Sequence, residues 1–249
     1  MNVYTVVGKY VEMIREEAIV TTATKEMLSI SEIYTSIQGE GRYTGIPTTF
    51  VRLQGCPLRC IWCDSRFTWP FQKVHDTSVD DVIAKVEEFN LRYVCVTGGE
   101  PLAQNATEGL FKDLIRNHFK VTCETSGAYP IYGKNYNHFI EWVLDMKCPD
   151  STQEHMNDYE NLRRLRGQDQ LKFVVSSKND FDWSVDLLLK YRPFAGDILF
   201  SPVWEKCDIK ELVQWLTDSS ERIQIKGMVT PRLSLQIHKV IWPIDQRGV

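Results

Sequence analysis

Three cysteines in the first third of the chain constrain its structure more than any other feature. Cys56, Cys60 and Cys63 have the spacing C-x3-C-x2-C, and Trp62 stands directly before the third. Three thiolates at this spacing can hold three corners of a cubane iron-sulfur cluster and leave the fourth iron open. A cluster that only transfers electrons normally has four cysteine ligands, whereas an open iron can bind and cleave a small molecule. The motif therefore predicts a catalytic 4Fe-4S cluster.

Two other uses of these cysteines fit the sequence less well. A structural zinc site needs four ligands in two short pairs, and no second C-x2-C or H-x3-H pair follows in the chain. A disulfide framework is disfavoured by the odd count of seven cysteines and by a length of 249 residues, which can form a core without cross-links. We expect the remaining cysteines to be small buried side chains: Cys95, Cys123, Cys148 and Cys207.

The composition is that of an ordinary globular domain, with 43% hydrophobic and 25% charged residues. The net charge of -4 argues against a general nucleic-acid binder, which would carry a basic excess. No apolar run approaches the roughly 18 residues of a membrane helix, and Lys9, Glu12 and Arg15 interrupt any signal-peptide pattern. We therefore expect a cytoplasmic protein with no direct contact to nucleic acid or membrane, in the reducing compartment that the cluster needs.

Residues 1–28 form an extension that precedes a single domain over residues 29–249. Val3, Val7, Val11 and Ile14 recur at helical spacing, so one interpretation is an amphipathic helix that packs on the body or on a partner subunit. The other interpretation is an over-long gene start, because a natural first strand begins at Met27. Both stay open at this point, and intact-mass analysis of the native gene product distinguishes them.

Strand-like and helix-like runs alternate from Ile30 onward. This alternation predicts parallel strands joined by crossover helices, and such sheets collect functional residues at the carboxyl ends of their strands. The first helix is opened by Ser78, an N-cap with a carboxylate three residues on. The predicted strands are Thr48–Leu53, Tyr93–Thr97, Val121–Glu124, Trp142–Met146, Leu171–Val175, Asp197–Phe200 and Arg222–Ile225. The predicted helices are Val82–Phe89, Thr107–His118, Asp180–Tyr191 and Ile209–Leu216.

Short motifs follow three of these strands. Gly98 and Gly99 open the sequence GGEP, where the missing Cβ atoms let the backbone approach a ligand. Thr125-Ser126-Gly127 follows the next strand, Lys147 follows the one after it, and Lys172 lies within the strand beyond. Each motif alone is compatible with a turn or a cap. Their order behind the cysteine loop predicts one common site.

These motifs together resemble the 7-carboxy-7-deazaguanine synthases, a family of radical S-adenosylmethionine (SAM) enzymes in 7-deazapurine (queuosine-type) biosynthesis. The most specific stretch is S-I-Q-G-E-G at residues 36–41, upstream of Arg52 and the cysteines. Asp64-Ser65 and residues 238–242 also resemble the family, and the similarity extends from about residue 29 to about residue 242. The resemblance implies an α/β fold, a partial (β/α) barrel of mostly parallel strands with the active site at their carboxyl ends.

The resemblance also implies a reaction, in which 6-carboxy-5,6,7,8-tetrahydropterin becomes 7-carboxy-7-deazaguanine with loss of ammonia. The cluster at Cys56, Cys60 and Cys63 would reduce SAM to a 5'-deoxyadenosyl radical, which takes a hydrogen from C6 before ring contraction. SAM would be regenerated, so the task of the protein is to position the reactants. Further expectations from the family are Mg2+, a flavodoxin- or ferredoxin-like reductant, and a homodimer.

Residue roles follow from the same resemblance. The implied substrate contacts are Ile37, Gln38, Gly39, Glu40, Arg52, Thr97, His238 and Pro243. The implied SAM contacts are Trp62, Cys63, Asp64, Gly99, Thr125, Ser126, Asp145, Met146, Lys147 and Lys172, and the implied Mg2+ ligand is Ser65. Their chemistry is suitable: Gln38 and Glu40 complement the lactam and guanidine-like edge of a pterin, and Arg52 can bind a carboxylate bidentately. A single hydroxyl binds Mg2+ weakly, so we expect the metal to bind well only after substrate.

Two departures from the family and two alternative functions remain. The family commonly has Ser-Pro-Lys where this chain has Asp-Met-Lys at residues 145–147. Chains of the family can also end soon after the His-Lys pair, whereas six residues follow Pro243 here. An activase of a glycyl-radical enzyme would use the same cluster and GGEP, but would need a surface for a large partner in place of a small-molecule pocket. A non-catalytic iron-sulfur or zinc protein would need a fourth ligand.

Overall fold

The computed structural model describes residues 26–71, 76–131, 137–223, 229–243 and 246–249. The strands are β1 (Met27–Ile37), β2 (Pro47–Leu53), β3 (Asp76–Ser78), β4 (Tyr93–Gly98), β5 (Lys120–Thr125), β6 (Ile140–Met146), β7 (Gln170–Val175), β8 (Asp197–Pro202) and β9 (Arg232–Leu233). The helices are α1 (Val79–Glu88), α2 (Thr107–Arg116), α3 (Asn161–Arg164), α4 (Lys178–Tyr191), α5 (Ile209–Ile223) and α6 (His238–Ile241). No helix within these ranges is long and apolar enough to cross a membrane.

The described strands form one sheet in the order β3-β1-β2-β4-β5-β6-β7-β8-β9. From β2 to β9 all neighbours are parallel, with crossover segments between them, whereas β1 runs antiparallel to both β2 and β3. This is the mostly parallel α/β architecture expected for a partial (β/α) barrel. The carboxyl end of β1 lies beside the start of β2, since Ile37 pairs with Pro47.

Strand alternation separates the core of the protein from a cavity. On β2, Val51 and Leu53 are fully buried in the main hydrophobic core, whereas the intervening Arg52 lines a cavity on the other face of the sheet. On β7, Phe173 belongs to the core and Lys172 lines the cavity. Because successive strand side chains point to opposite faces, each strand supports the core and the site together.

The predicted elements are largely confirmed. β2, β4, β5, β6, β7 and β8 each start and end within two residues of a predicted strand, and the four longest helices match predicted ones. Asp81 donates a backbone hydrogen bond of 3.2 Å to the Ser78 hydroxyl, which confirms that N-cap. All four remaining cysteines are buried, as expected.

One predicted strand, at residues 222–225, is wrong where it can be examined. Residues 222–223 end α5, and residues 224–225 lie outside the described residues; the outer parallel strand is β9 instead. A four-residue run cannot distinguish the period of a strand from that of a helix. The expected helix within residues 1–25 also lies outside the described residues.

Candidate active site

A cavity of about 740 Å³ occupies the non-core face of the sheet. All but one of the sequence-predicted site residues line it, although they come from nine separate segments of the chain. The cavity-lining predictions are Ile37, Gln38, Gly39, Glu40, Arg52, Cys56, Cys60, Trp62, Cys63, Asp64, Ser65, Thr97, Gly99, Thr125, Ser126, Asp145, Lys147, Lys172, His238 and Pro243. The exception is Met146, whose side chain is fully buried in the main core. Its neighbours Asp145 and Lys147 line the cavity. Strand alternation turns the Met146 side chain to the core, so the SAM contact of Met146 stays a prediction for its backbone alone.

The cysteine loop follows the carboxyl end of β2. Cys56 and Cys60 are buried and Cys63 is half-buried, and Trp69 and Met156 pack against them. Burial raises the pKa of the Cys56 thiol to about 11 and raises that of Cys60, with the Lys147 ammonium opposing the shift at both. Coordination to iron deprotonates a thiol outright.

This donor set fits an iron-sulfur cubane better than a single metal ion. Within the described ranges no group of His, Cys, Asp or Glu side chains converges as closely as one ion requires. A cubane instead holds each thiolate at a separate corner. The apolar packing around the loop excludes water, which influences the potential of a cluster, and Lys147 supplies a positive charge near its thiolates.

The two glycines after β4 allow the cysteine loop to pack against that strand. Gly99 donates a backbone hydrogen bond of 2.9 Å to Leu53, and Glu100 donates one of 2.8 Å to Gly55. A Cβ at Gly99 would stand 2.2 Å from the Gly55 carbonyl oxygen, and one at Gly98, where φ is +132°, would stand 2.2 Å from that of Leu53. The glycines therefore serve the contact between strand and loop, and Gly99 in addition lines the cavity.

Glu100 holds the next motif in place. Its fully buried carboxylate accepts hydrogen bonds from the Thr125 hydroxyl at 2.7 Å and from the Ser126 backbone N–H at 2.7 Å. Gly127 in turn donates to the Thr125 hydroxyl at 3.2 Å. These bonds fix the carboxyl end of β5 beside the cysteine loop, at the edge where the SAM contacts were expected.

Four charged side chains form a row across the sheet, with Lys172 buried and the other three half-buried. Asp145 lies 3.0 Å from the Lys147 ammonium and 3.5 Å from that of Lys172, and Lys172 lies 2.9 Å from Glu40. Burial alone would raise the pKa of the Glu40 carboxyl, but Lys172 and a hydrogen bond from Gln236 outweigh it and lower that pKa. Burial would also lower the pKa of Lys172, and its carboxylate partners raise it well above the usual value. Lys172 and Glu40 therefore form an ion pair at neutral pH.

The segment after β1 reaches the cavity from the side of the sheet where the parallel strands begin. β1 is antiparallel to β2, so its carboxyl end lies at the amino ends of the parallel strands. Gln38 nevertheless donates to Glu124 at 3.4 Å, and Glu40 accepts from Gln236 at 2.7 Å. The rule that sites collect at carboxyl ends holds for the cysteine loop and the motifs after β4, β5 and β6, but not for these residues. The site therefore extends down into the barrel.

Arg52 lies near the carboxyl end of β2 and lines the cavity. Its Nε donates to Glu32 at 2.7 Å and one Nη donates to the Tyr34 hydroxyl at 2.6 Å. Burial would lower the pKa of the guanidinium, but Tyr34 and Glu32 raise it. Arg52 is thus fully charged and held rigidly on one side.

Glu124 is a cavity residue that the sequence analysis missed. Its carboxylate accepts from the Thr97 hydroxyl at 3.1 Å as well as from Gln38, and it lines the cavity. Two predicted substrate residues therefore converge on an acid that was not predicted. A signal existed: Glu124 is the only charged residue in V-T-C-E-T, at an alternate position of a buried strand.

A second group of residues lies where α6 meets the cysteine loop. Lys239 makes an ion pair of 2.8 Å with Asp64, whose other carboxylate oxygen accepts from Ser65 at 3.1 Å. Burial opposes ionisation of Asp64, but Lys239 outweighs it and lowers the pKa of Asp64 to about 2. His238 packs against Gly39, where a Cβ would stand 2.2 Å from the imidazole Nδ1. Burial lowers the pKa of His238 despite the carboxylates of Glu40 and Asp64.

Residues after Pro243 also line the cavity. The guanidinium of Arg247 lies 3.9 Å above the Phe67 ring and 3.7 Å from Glu32, the carboxylate that holds Arg52. On the cofactor side, the Lys206 ammonium lies 6.0 Å from the centre of the Trp62 ring. Sequence analysis predicted neither of these cations, because no local motif surrounds them.

Comparisons with known proteins agree with this geometry. The model of the Radical SAM superfamily matches residues 50–145. The 7-carboxy-7-deazaguanine synthase of Koribacter versatilis is 34% identical over 238 residues, covering 89% of this chain and 100% of that protein. The 7-carboxy-7-deazaguanine synthase of Leptospira interrogans is 36% identical over 246 residues, covering 89% and 98%. The crystal structure of QueE from Escherichia coli shares the fold, with a TM-score of 0.66 and 24% identity over 84% of this chain and 94% of that one.

The mostly parallel sheet, the cysteine loop at its carboxyl edge and the superfamily match define a radical SAM enzyme, which implies a 4Fe-4S cluster and SAM as cofactors. The relatives then decide the family. The chain belongs to the 7-carboxy-7-deazaguanine synthases, lyases of queuosine biosynthesis. This membership decides against the activase and against a non-catalytic iron-sulfur or zinc protein.

Proposed function

We propose that this protein converts 6-carboxy-5,6,7,8-tetrahydropterin into 7-carboxy-7-deazaguanine with loss of ammonia. The observation that carries the proposal is one cavity with two chemically different halves. One half has the cysteines, Gly99 and Lys147 at the carboxyl edge of the sheet. The other half, which the segment after β1 enters from the amino ends of the parallel strands, has polar groups that include Gln38 and Glu40. A cofactor at the edge and a substrate below it would then be in contact.

The deeper half is complementary to a carboxylated pterin. Glu124 and Glu40 are half-buried carboxylates that can accept hydrogen bonds from the guanidine-like edge of the pterin, and Gln38 offers both a donor and an acceptor to its lactam. Arg52 can pair with the substrate carboxylate through two parallel bonds. Thr97 and His238 would complete the walls. Because Glu124 already accepts from Gln38 and Thr97, and Arg52 already donates to Glu32 and Tyr34, substrate would enter a largely preorganised site.

The other half is suited to the cofactors. Cys56, Cys60 and Cys63 would hold the cluster, and Lys147 would offset its negative charge. With SAM bound at the open iron, the cluster would supply the electron and the hydrogen-abstracting radical of the reaction. The protein itself orients the pterin, keeps its carboxylate paired and excludes water from the reacting atoms.

Further parts of the proposal come from the family resemblance. Mg2+ would bind at the Ser65 hydroxyl with substrate oxygens completing its coordination, and so weakly in the absence of substrate. A flavodoxin- or ferredoxin-like protein would reduce the cluster, and two copies of the chain would form a dimer. The oxygen-sensitive cluster favours a reducing, cytoplasmic setting, with no direct contact to nucleic acid.

A paired cysteine substitution tests the proposal. The wild type, Cys60→Ala and Cys207→Ala are reconstituted anaerobically with iron and sulfide, reduced with dithionite, and given SAM, Mg2+ and the pterin. We expect the wild type and Cys207→Ala to release ammonia in proportion to the pterin consumed, because Cys207 is a buried thiol outside the cavity. Cys60→Ala should bind little iron and release no ammonia. Ammonia release by Cys60→Ala, or none by a wild type with a full cluster, would exclude this function.

A further inference from the structure

The predicted metal ligand Ser65 lies beside a cation that belongs to the protein itself. Both oxygens of its neighbour Asp64 are engaged: Oδ1 accepts from the Ser65 hydroxyl at 3.1 Å, and Oδ2 lies 2.8 Å from the Lys239 ammonium. The Lys239 side chain is only 9% exposed. All three residues line the cavity. Nothing in the family resemblance gave Lys239 a role.

The backbone holds this lysine in position. Lys239 donates its N–H to the Gln236 carbonyl oxygen at 3.0 Å, and Ile237 donates to that of Gly39 at 3.0 Å. The Gln236 side chain is bonded to Glu40 on the substrate side of the cavity. The ammonium is therefore attached to the same segment that packs against the predicted pterin contacts, and reaches Asp64 from there.

The ion pair changes what the site can offer a divalent metal. Mg2+ requires oxygen ligands at about 2.0–2.1 Å and retains several of its waters. The ion pair of Asp64 and Lys239 has no net charge to attract Mg2+. The lysine ammonium also repels a second cation placed beside it. Without the ammonium, Asp64 and Ser65 would present two adjacent oxygen ligands with a charge of -1.

We propose that the Lys239 ammonium occupies the cation position next to Ser65 and competes with the divalent metal for Asp64. This inference rests on the proposed function, in which Ser65 is the metal ligand. In the substrate-free enzyme the lysine neutralises the charge of Asp64. After the pterin binds, a metal would be held only by Ser65 and substrate oxygens. Lys239 is thus a positioning residue that determines how strongly the enzyme depends on metal.

Manganese binding in the absence of pterin tests this inference directly. Mn2+ is added to the anaerobically reconstituted holoenzyme, whose oxidised cluster is diamagnetic, and free Mn2+ is quantified by electron paramagnetic resonance. We expect Lys239→Met to bind one Mn2+ at least about tenfold more tightly than the wild type. Lys239→Arg keeps the charge and should bind as the wild type does. The double variant Lys239→Met with Asp64→Asn should lose the gain.

The possible results separate clearly. Equal Mn2+ affinity in the wild type and Lys239→Met would overturn the inference, and so would a gain that persists in the double variant. Lys239→Gln replaces Lys239→Met if iron content or circular dichroism shows that the latter does not fold. Because no pterin is present, failure of the wild type to make a deazapurine would refute the proposed function and leave the manganese result standing.

Discussion

Replacing Arg52 by lysine should weaken pterin binding while leaving SAM binding intact. The guanidinium has five N–H donors, and Glu32 and Tyr34 accept two of them at 2.7 and 2.6 Å. Three donors remain for a substrate carboxylate, enough for a bidentate pair. A lysine that kept both protein contacts would have one donor left. The substitution therefore removes one charge-assisted hydrogen bond, worth about 1.5–3 kcal/mol.

That loss corresponds to a rise of about 10- to 150-fold in the KM for the pterin, at about 1.4 kcal/mol per factor of ten. The assay measures pterin turnover against pterin concentration at saturating SAM, and SAM affinity separately by equilibrium dialysis of the holoenzyme. SAM affinity should change less than about twofold, since the hydrogen bonds of Arg52 go to Glu32 and Tyr34, which are not predicted SAM contacts.

Arg42→Lys is the matched control for this prediction. Arg42 also pairs with carboxylates, at 2.6 Å to Asp197 and 3.2 Å to Glu141, but it does not line the cavity. Its substitution should lower the thermal midpoint and leave the pterin KM unchanged. The assignment of Arg52 fails if its lysine variant keeps the wild-type KM, or if SAM affinity falls by the same factor as pterin affinity.

Three further substitutions probe other parts of the site. Lys172→Met leaves Glu40 buried without its ion pair of 2.9 Å, and should cost about 3–5 kcal/mol of unfolding free energy in urea titrations. Gly99→Ala places a Cβ 2.2 Å from the Gly55 carbonyl oxygen, so it should displace the cysteine loop and lower the iron bound per chain after reconstitution. His238→Gln should remove a pH dependence of the stability. Burial lowers the pKa of His238 below 6.5, so its imidazole binds a proton more readily in the unfolded chain than in the folded one. The wild type therefore loses stability as the pH falls below about 6.5. Melting at about pH 7.5 and pH 6 measures this difference.

Each of these predictions has a contrary result. Urea stability of Lys172→Met equal to that of the wild type would mean that Lys172 and Glu40 do not form an ion pair. Gly167→Ala is the control for Gly99→Ala, since a Cβ at Gly167 would meet only the ring edge of Phe194 at 3.4 Å. Equal iron loss in both variants would show that the close contact between Gly99 and Gly55 is not what holds the cysteine loop. A wild type whose melting point is the same at both pH values would show that His238 titrates normally.

The cysteine loop and the strand-end motifs could be predicted because each is local. Three ligands within eight residues, two glycines at the end of one strand and a lysine directly after another can be recognised without any contact between distant parts of the chain. Alternation in β2 likewise predicts that Arg52 and its neighbour Val51 face opposite sides. The same rule, applied to β6, would have separated Asp145 from Met146, which the family match alone placed together in the site.

The missed residues depend on contacts between distant parts of the chain. Lys239 meets Asp64, and Gln236 meets Glu40, only because α6 packs across the segment after β1. The direction of β1 was equally hidden, since a strand pattern records which face is buried and not which way the strand runs. Sequence therefore predicts the cofactor half of the cavity better than the half that receives the substrate.

The identity of the product tests the central claim most directly. The anaerobically reconstituted wild type, with dithionite, SAM, Mg2+ and 6-carboxy-5,6,7,8-tetrahydropterin, is followed by ultraviolet absorbance and mass spectrometry. We expect 7-carboxy-7-deazaguanine, in an amount that greatly exceeds the SAM consumed. Formation of 5'-deoxyadenosine without any deazapurine would contradict it, because the cofactor half would then be active while the deeper half receives some other substrate.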